Sequence, residues 1–342
     1  MSVPLFFDLI ESDQLENTLR QFASANMSTD WGVRGVSRQS KYYDPISYNN
    51  GSVWPFTTGY VATAQHKHHR AINGWHNLLA NVSLTWLDAL GWQTELLSGE
   101  YCRPVSTSVP HQLFSASAII NPLVMGLLGL EGDTVSRKIT FAPHLPMDWN
   151  ELVIKNYQCG KDSFDILFHK SIDKLKLEII NRAERSYQFF FSPAFGLETK
   201  IESVSVNGKA VPSQLKTTPY DVHCEIKCDL RENLSVEIQY QQGIEFNIPS
   251  PEIQIGSPSQ GLKLIDYNLL NNVFTITVQG FSEKEYVIPV KTDFKIENVE
   301  GGRIKKINDH LWELVTRFNN TSKDFVTKKI QLYLNKSDRP EN

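Results

Sequence analysis

A chain of 342 residues, 41% hydrophobic and 21% charged, is too long for one ordinary core and suggests two or three globular domains. Its 34 basic and 38 acidic side chains give a net charge of −4, and its densest basic stretch, Arg303-Ile304-Lys305-Lys306, lies between Glu300 and Asp309 and reads as a solvated edge rather than a nucleic-acid face. No apolar run approaches the roughly 20 residues of a membrane helix, and Met1-Ser2-Val3-Pro4-Leu5-Phe6 has no basic leader, so a soluble chain, cytoplasmic by default, is expected.

Up to about residue 135 the sequence reads as helical. Residues 11–24 place Leu15, Leu19 and Phe22 at spacings of three and four behind a Ser12-Asp13 cap. Residues 55–70 open with Pro55 at a helix-start position and carry Tyr60, Val61, Ala64 and His68 on one side. Residues 73–90 repeat the habit with a core stripe of Trp75, Leu78, Leu79, Val82 and Trp86, so these two helices are expected to pair antiparallel. Residues 112–128, with Ala116, Ala118, Ile119, Ile120, Leu123 and Val124, are apolar nearly all round. Such a helix is expected to be buried on most sides and calls for a surrounding ring of helices.

The loops between these helices are long and carry aromatic and polar groups together. One, residues 26–54, holds Asp30, Trp31, Arg34, Tyr42, Tyr43, Asp44, Tyr48 and Trp54; the other, residues 91–111, holds Trp92, Glu95, Glu100, Tyr101, Arg103 and His111. Sugars offer apolar ring faces that stack on Trp and Tyr, and hydroxyls that pair with carboxylates, amides and Arg, so such loops suit the rim of a sugar pocket.

After residue 135 the period falls towards two. Strands are expected at 138–143, 164–168, 175–180, 188–191 and 234–240, with a hairpin at 204–211 turning on Asn207-Gly208. The segment Ile248-Pro249-Ser250-Pro251 reads as a linker, followed by strands at 274–278, 286–290, 312–315 and 330–334. The expected plan is α plus β: a helical domain over 1–135, a β-sandwich over 136–246, a second small β-sandwich over 247–336, and a frayed tail over 337–342.

The cysteines Cys102, Cys159, Cys224 and Cys228 form no CxxC pair and no zinc-like spacing with His, so neither a disulfide framework nor a zinc finger is expected. His66, His68, His69 and His76 allow a shared helical face, but no carboxylate joins them and Lys67 and Arg70 oppose a cation. No metal and no other cofactor is expected.

The ordered segments Asp30-Trp31-Gly32-Val33-Arg34, Tyr48-Asn49-Asn50-Gly51-Ser52-Val53-Trp54-Pro55-Phe56, Glu95-Leu96-Leu97-Ser98-Gly99, Pro110-His111-Gln112-Leu113-Phe114-Ser115-Ala116 and Phe141-Ala142-Pro143-His144-Leu145-Pro146 resemble those of bacterial amylo-α-1,6-glucosidase-like proteins, which are six-hairpin glycosidases. The resemblance covers roughly residues 4–150. It implies that residues 1–135 are the last helices of a partial (α/α)6 barrel, followed by β-sandwich domains, and that the activity is inverting hydrolysis of an α-glycosidic bond in an oligosaccharide or polysaccharide.

Inversion needs two carboxyl groups about 6.5–9.5 Å apart, one protonating the leaving oxygen and one activating water. The resemblance puts the general base on Glu95, with Glu100 beside it, and implies a general acid upstream, in a barrel half that a separate chain would supply. Asp30 and Asp44 are the acids of the first long loop. Asp30, beside Trp31 and Arg34, reads as a ligand of a substrate hydroxyl or as an ion-paired loop anchor. Tyr48, Trp54, Trp92, Glu100, His111 and Gln112 complete the expected substrate-binding set. Trp54 reads as a stacking platform or a filler of the barrel mouth, and His111 and Gln112 as ligands or helix-start caps. The contrasting reading is a non-catalytic carbohydrate-binding module or structural remnant.

Overall fold

The computed structural model describes residues 2–321 and 324–335; the expected tail, 337–342, lies outside the described residues. The fold is mixed, with β-sheets dominating and helices confined to the first part of the chain. These helices are α1 (Ser2–Phe6), α2 (Ser12–Ala23), α3 (Pro55–Lys67), α4 (Ala71–Ser83) and α5 (Leu113–Asn121), the last continuing into a π-helical turn, Pro122–Leu127. Among the described residues no helix is long and apolar enough to cross a membrane.

Pro55 starts α3 because the first helical N–H has no intrahelical partner to lose. The Thr58 hydroxyl ties that first turn to the Trp54 carbonyl at 2.9 Å, and His69 enters the left-handed region (φ 61°) beyond the helix end, where the chain reverses into α4. The pair is antiparallel, as expected: Asn81 Nδ2 donates to the Pro55 carbonyl at 3.0 Å, whereas Asn77 Nδ2 donates to Gln65 Oε1 at 2.7 Å.

The contact, however, is not the expected apolar stripe. Of that stripe Leu78 is buried, Trp75, Leu79 and Val82 are only half-buried and Trp86 is exposed, while the buried Asn77 and Asn81 bond α3 and the buried Asn73, one turn before them, faces the second sandwich. Buried amides are tolerable there because each donates a hydrogen bond, Asn73 to the Leu264 carbonyl at 2.8 Å.

The centre of the helical part is α3, not the helix at 112–128. Thr58, Gly59, Val61, Ala62, Thr63 and Ala64 are all buried. Their small size lets α5 approach so closely that a Cβ on Gly59 would lie 2.6 Å from the Cβ of Ala118. By contrast, α5 buries Ser115 and Ala118 against α3 and turns Leu113, Phe114 and Ile120 outward, the first 78% exposed. The surrounding ring that its all-round apolar pattern calls for is not formed by the described residues.

Two sandwiches follow. The first packs a sheet of Leu130–Asp133, Lys138–Phe141, Tyr187–Phe191, Val222–Leu230 and Gln214–Thr217, with the short strand Ala194–Phe195 beside Val222–Leu230, on a sheet of Glu151–Cys159, Asp162–Lys170, Lys174–Asn181, Leu234–Gln241, Lys200–Val206 and Lys209–Ala210. Its core gathers Phe141, Phe164, Leu177, Phe189, Phe191, Val236 and Ile238. The Asn207-Gly208 hairpin forms with φ of 49° and 75°, both in the left-handed region the sequence asks for. The second pairs Ile244–Phe246, Glu285–Thr292, Leu311–Arg317 and Arg303–Lys306 in one sheet, and Lys263–Leu270, Val273–Phe281, Phe325–Asn335 and Lys295–Glu300 in the other. The basic stretch is indeed a sheet edge, with Arg303, Lys305 and Lys306 exposed. All four cysteines are free thiols.

The helical part is fastened to these sandwiches by buried charge. Asp30 accepts hydrogen bonds from Lys263 Nζ at 2.6 Å, Ser259 Oγ at 2.9 Å and the Gln260 N–H at 2.7 Å. Arg70, also buried, bonds Glu16 at 2.6 Å and Asp266 at 2.9 Å while its guanidinium lies over the Tyr220 ring. Burial pushes the Asp30 carboxyl up, but the Lys263 charge and the donors around it outweigh this and hold it below the ordinary carboxylate range.

A group depressed in the folded state stabilises above its unfolded value, about pH 3.9 for Asp, and that contribution disappears as pH falls through the folded value. Asp30→Asn strands the Lys263 ammonium and is expected to cost about 3–5 kcal/mol, read as a lowered urea midpoint at pH 7. The difference from wild type should shrink below about pH 4. Equal midpoints at pH 7 would show that the clamp does not hold the domains together.

Candidate active site

Short bridges stitch the two long loops together. Val53 and Leu97 exchange both backbone hydrogen bonds at 2.9 Å, with Arg34 paired to Val53 on one side and Pro104 to Leu97 on the other. The glycines of the two motifs permit this approach, since a Cβ on Gly99 would collide with the Gly51 carbonyl. Beneath the bridges Trp31, Val53, Leu84, Leu97 and Cys102 form a cluster capped by Ile253 from the proline-bearing segment. That segment also receives the Cys102 N–H at the Ser257 carbonyl, 3.0 Å away.

The stitching places Glu95 two residues before Leu97 and Trp54 directly after Val53. Glu95 is buried and accepts three hydrogen bonds: from the Tyr48 hydroxyl at 2.6 Å, from Gln112 Nε2 at 2.8 Å, both on Oε1, and from the Val109 N–H at 3.3 Å on Oε2. A phenol, an amide and a backbone N–H are its donors; among the described residues no cation pairs with it. The hydrogen bond to Glu95 raises the Tyr48 phenol above the ordinary tyrosine value, so Tyr48 remains a donor across the working pH range. Tyr48 meets Trp54 edge to face at 4.9 Å, and the Trp54 indole donates to the Tyr48 carbonyl at 3.0 Å. On the other side Trp92 stacks on His111, ring centres 5.8 Å apart, while His111 Nδ1 accepts the Gln93 N–H.

The result is a carboxylate under a rim of exposed rings. Tyr48, Trp92 and His111 face solvent, and the bare apolar face of α5 continues the rim from Gln112 through Leu113 and Phe114.

Of the other residues expected to bind substrate, Asp30, Trp31 and Arg34 lie beneath this rim as braces. Of its two readings, Asp30 takes the ion-paired anchor. The Trp31 indole donates to the Ser98 carbonyl at 2.9 Å with the ring 1% exposed. Arg34 is likewise buried, donating to the Gly99 carbonyl at 2.7 Å and the Ala25 carbonyl at 2.8 Å. Glu100 accepts from the Tyr43 hydroxyl at 3.4 Å and is part of the same bracing. Asp44 is exposed and caps its own turn through the Ile46 N–H. Ser108, missed in the sequence, anchors the Glu95 loop by accepting the Leu96 N–H at 3.1 Å and pairing with Thr94. A serine in a polar loop carries no signal that singles it out.

Residues 1–109 match the family model of the mannosylglycerate hydrolase MGH1-like glycoside hydrolase domain. This match supports a glycosidase, and it includes Tyr48, Trp54 and Glu95 while ending before His111 and Gln112. No curated protein matches the chain by sequence.

Solved structures with some likeness include an α-L-rhamnosidase from Dictyoglumus thermophilum, at TM-score 0.42 and 11% identity over 70% of this chain and 25% of that one. A GH127 β-L-arabinofuranosidase from Geobacillus stearothermophilus T6 aligns at TM-score 0.38 and 12% identity over 97% of this chain and 55% of that one. A protein described as a glycoside hydrolase aligns at 0.35 and 8% over 96% and 61%. The chain thus spans less than two thirds of each, and likeness this loose carries no weight for the reaction.

Replacing Trp31 by Phe leaves the buried Ser98 carbonyl without its donor and is expected to cost about 1–3 kcal/mol, measurable as a shift in the urea midpoint. An unchanged midpoint would mean that the indole does not brace the Glu95 loop.

Proposed function

We propose that the Tyr48–Glu95–Gln112 group is the general-base side of an inverting α-glycosidase, of the amylo-α-1,6-glucosidase-like kind, acting on oligosaccharide or polysaccharide. The single observation that carries this reading is the hydrogen-bond geometry of Glu95: a carboxyl group held by three neutral donors and, among the described residues, by no cation, beneath exposed rings, inside the segment that matches a glycoside hydrolase domain. Neutral donors fix the orientation of a carboxylate without neutralising it, which suits a group that must take a proton from water. Trp54 and Trp92 offer faces for sugar rings on either side of it.

A base alone does not cleave a glycoside; the leaving oxygen needs an acid from the opposite face. In this proposal that acid comes from further barrel helices, on a separate chain or segment, that cover Leu113, Phe114 and Ile120. Three large apolar side chains on one exposed helix face, contiguous with Gln112, support it. The helices α1 to α5 are then the closing part of an (α/α)6 barrel.

The test is hydrolysis of a panel of α-linked oligosaccharides by the chain and by its Glu95→Gln form, each combined with the barrel segment that supplies the acid, with binding to the chain alone followed by calorimetry. The expected result is a rate 10²–10⁴-fold lower in Glu95→Gln, with sugar affinity retained, and an affinity weakened by about 1–2 kcal/mol in Trp92→Ala. Equal rates in wild type and Glu95→Gln would remove Glu95 from the mechanism. Binding without hydrolysis in wild type would favour the carbohydrate-binding reading.

A further inference from the structure

Away from Glu95, four side chains distant in sequence converge on one point between the helices and the first sandwich. His69 comes from the left-handed link between α3 and α4, and His144 from the segment after strand Lys138–Phe141. Asp221 closes the turn Thr218–Asp221, and His223 lies on strand Val222–Leu230. Their ligating atoms all lie within 4.8 Å of one another. Asp221 Oδ2 is the common point, 3.0 Å from His69 Nδ1, 3.2 Å from His223 Nε2 and 3.6 Å from His144 Nε2. Bonds of about 2.0 Å in a tetrahedron would set ligand atoms about 3.3 Å apart, the middle of that range.

Hydrogen bonding alone accounts poorly for the cluster. His223 Nδ1 lies 2.9 Å from the Ser192 carbonyl, which can only accept, and 3.1 Å from the Ser192 hydroxyl; the shorter contact favours the proton on Nδ1. In the neutral ring Nε2 is then a lone pair, and it faces a carboxylate oxygen that also only accepts. His144 is more telling. Its side chain is 8% exposed, it faces Asp221 Oδ2 at 3.6 Å, too long for a hydrogen bond, and the Ala142 backbone is the one hydrogen-bonding group beside the ring among the described residues. A buried imidazole aimed at a carboxylate without bonding it needs an explanation, and a cation between the two supplies one. The surrounding contacts are those of ligands held in place: Ser192 fixes the His223 tautomer, and the Thr218 hydroxyl donates to Asp221 Oδ1 at 2.7 Å.

We propose that His69, His144, Asp221 and His223 bind one divalent transition-metal ion of the zinc class, through Nδ1, Nε2, Oδ2 and Nε2 respectively. Four protein ligands fill a tetrahedral shell and leave no open position, so the site is structural: it staples the helical part to the first sandwich rather than activating water. Three imidazoles and one carboxylate suit zinc better than calcium or magnesium, which take oxygen ligands. The site is independent of the glycosidase reading, since none of the four residues takes part in the Glu95 group.

The experiment uses the untagged full chain purified from zinc-supplemented culture, together with His144→Gln. Because His144 makes no hydrogen bond to another side chain, His144→Gln removes a ligand while leaving the bonds of His69, Asp221 and His223 in place. Elemental analysis after dialysis against a weak chelator should find about one zinc per wild-type chain and a loss of at least tenfold in His144→Gln. Cobalt(II) added to stripped wild type should give the intense visible bands of a tetrahedral ion, and zinc should raise the wild-type Tm by more than about 5 °C. Equal zinc in both proteins means adventitious binding and overturns the proposal. So do zinc below about a tenth of an equivalent and no cobalt bands in wild type, which would leave a hydrogen-bonded cluster only. If His144→Gln does not fold, the wild-type zinc content and cobalt spectrum decide alone.

Discussion

The carboxylate of Asp30 is the constraint from which the rest of the helical part hangs. Donors from Ser259, Gln260, Gly261 and Lys263 converge on its two oxygens, so the loop carrying it is fixed to the start of the second sandwich. Trp31, next in sequence, is thereby driven under Ser98, and Arg34 reaches Gly99 from the same loop. These two bonds hold the 95–99 segment, whose pairing of Leu97 with Val53 then aims Glu95 at Tyr48 and Gln112. Asp30 makes no hydrogen bond to Glu95, yet the direction of Glu95 is inherited from it. A buried ion pair is a weak source of net stability but a strong penalty for any arrangement that separates its partners, which makes it suited to fixing one geometry among several.

The helices show how side-chain size decides burial. Small residues along α3 let α4, α5 and the π-helical turn close on it, and His66 occupies the space left by Gly74 and Gly126. Large residues on α5 stay on the surface, beside the rim of the Glu95 group, with Phe114 touching only the Phe56 ring at 5.3 Å among aromatic neighbours. The same flank therefore answers two questions: where sugar rings would lie, and where further helices would pack.

The sequence makes the β half legible because alternation and turn chemistry are local. Asn207-Gly208 supplies its own two positive φ values, and Phe189 and Phe191 point inward with Phe190 between them. It leaves the strands at Glu151–Cys159 and Lys263–Leu270 unread, because register shifts after Ile154 and Leu264 break their alternation, and it passes over Val222–Leu230 although Val222, Cys224, Ile226, Cys228 and Leu230 alternate there. In the helices, counting apolar residues points to Trp75 and Val82, whereas the contact face is amides whose partners lie elsewhere in the fold.

The site divides the same way. Tyr48, Trp54, Glu95, His111 and Gln112 sit in motifs that a resemblance brings out, and the structure gathers them. That Asp30 and Arg34 are braces depends on Lys263 and on carbonyl groups no local pattern reveals. Likewise, the histidines near residue 69 lack a neighbouring carboxylate in sequence, while Asp221, 152 residues on, stands beside His69 in space.

The central claim is that the surface over Glu95 receives a glycan. Crystals of the chain soaked with α-linked oligosaccharides test it most directly. The account predicts a sugar ring packed on Trp92 or Trp54, with a hydroxyl or an ordered water within hydrogen-bond reach of Glu95. Sugar bound only in a cleft away from Tyr48 and Gln112, with the Glu95 surface empty, would contradict it.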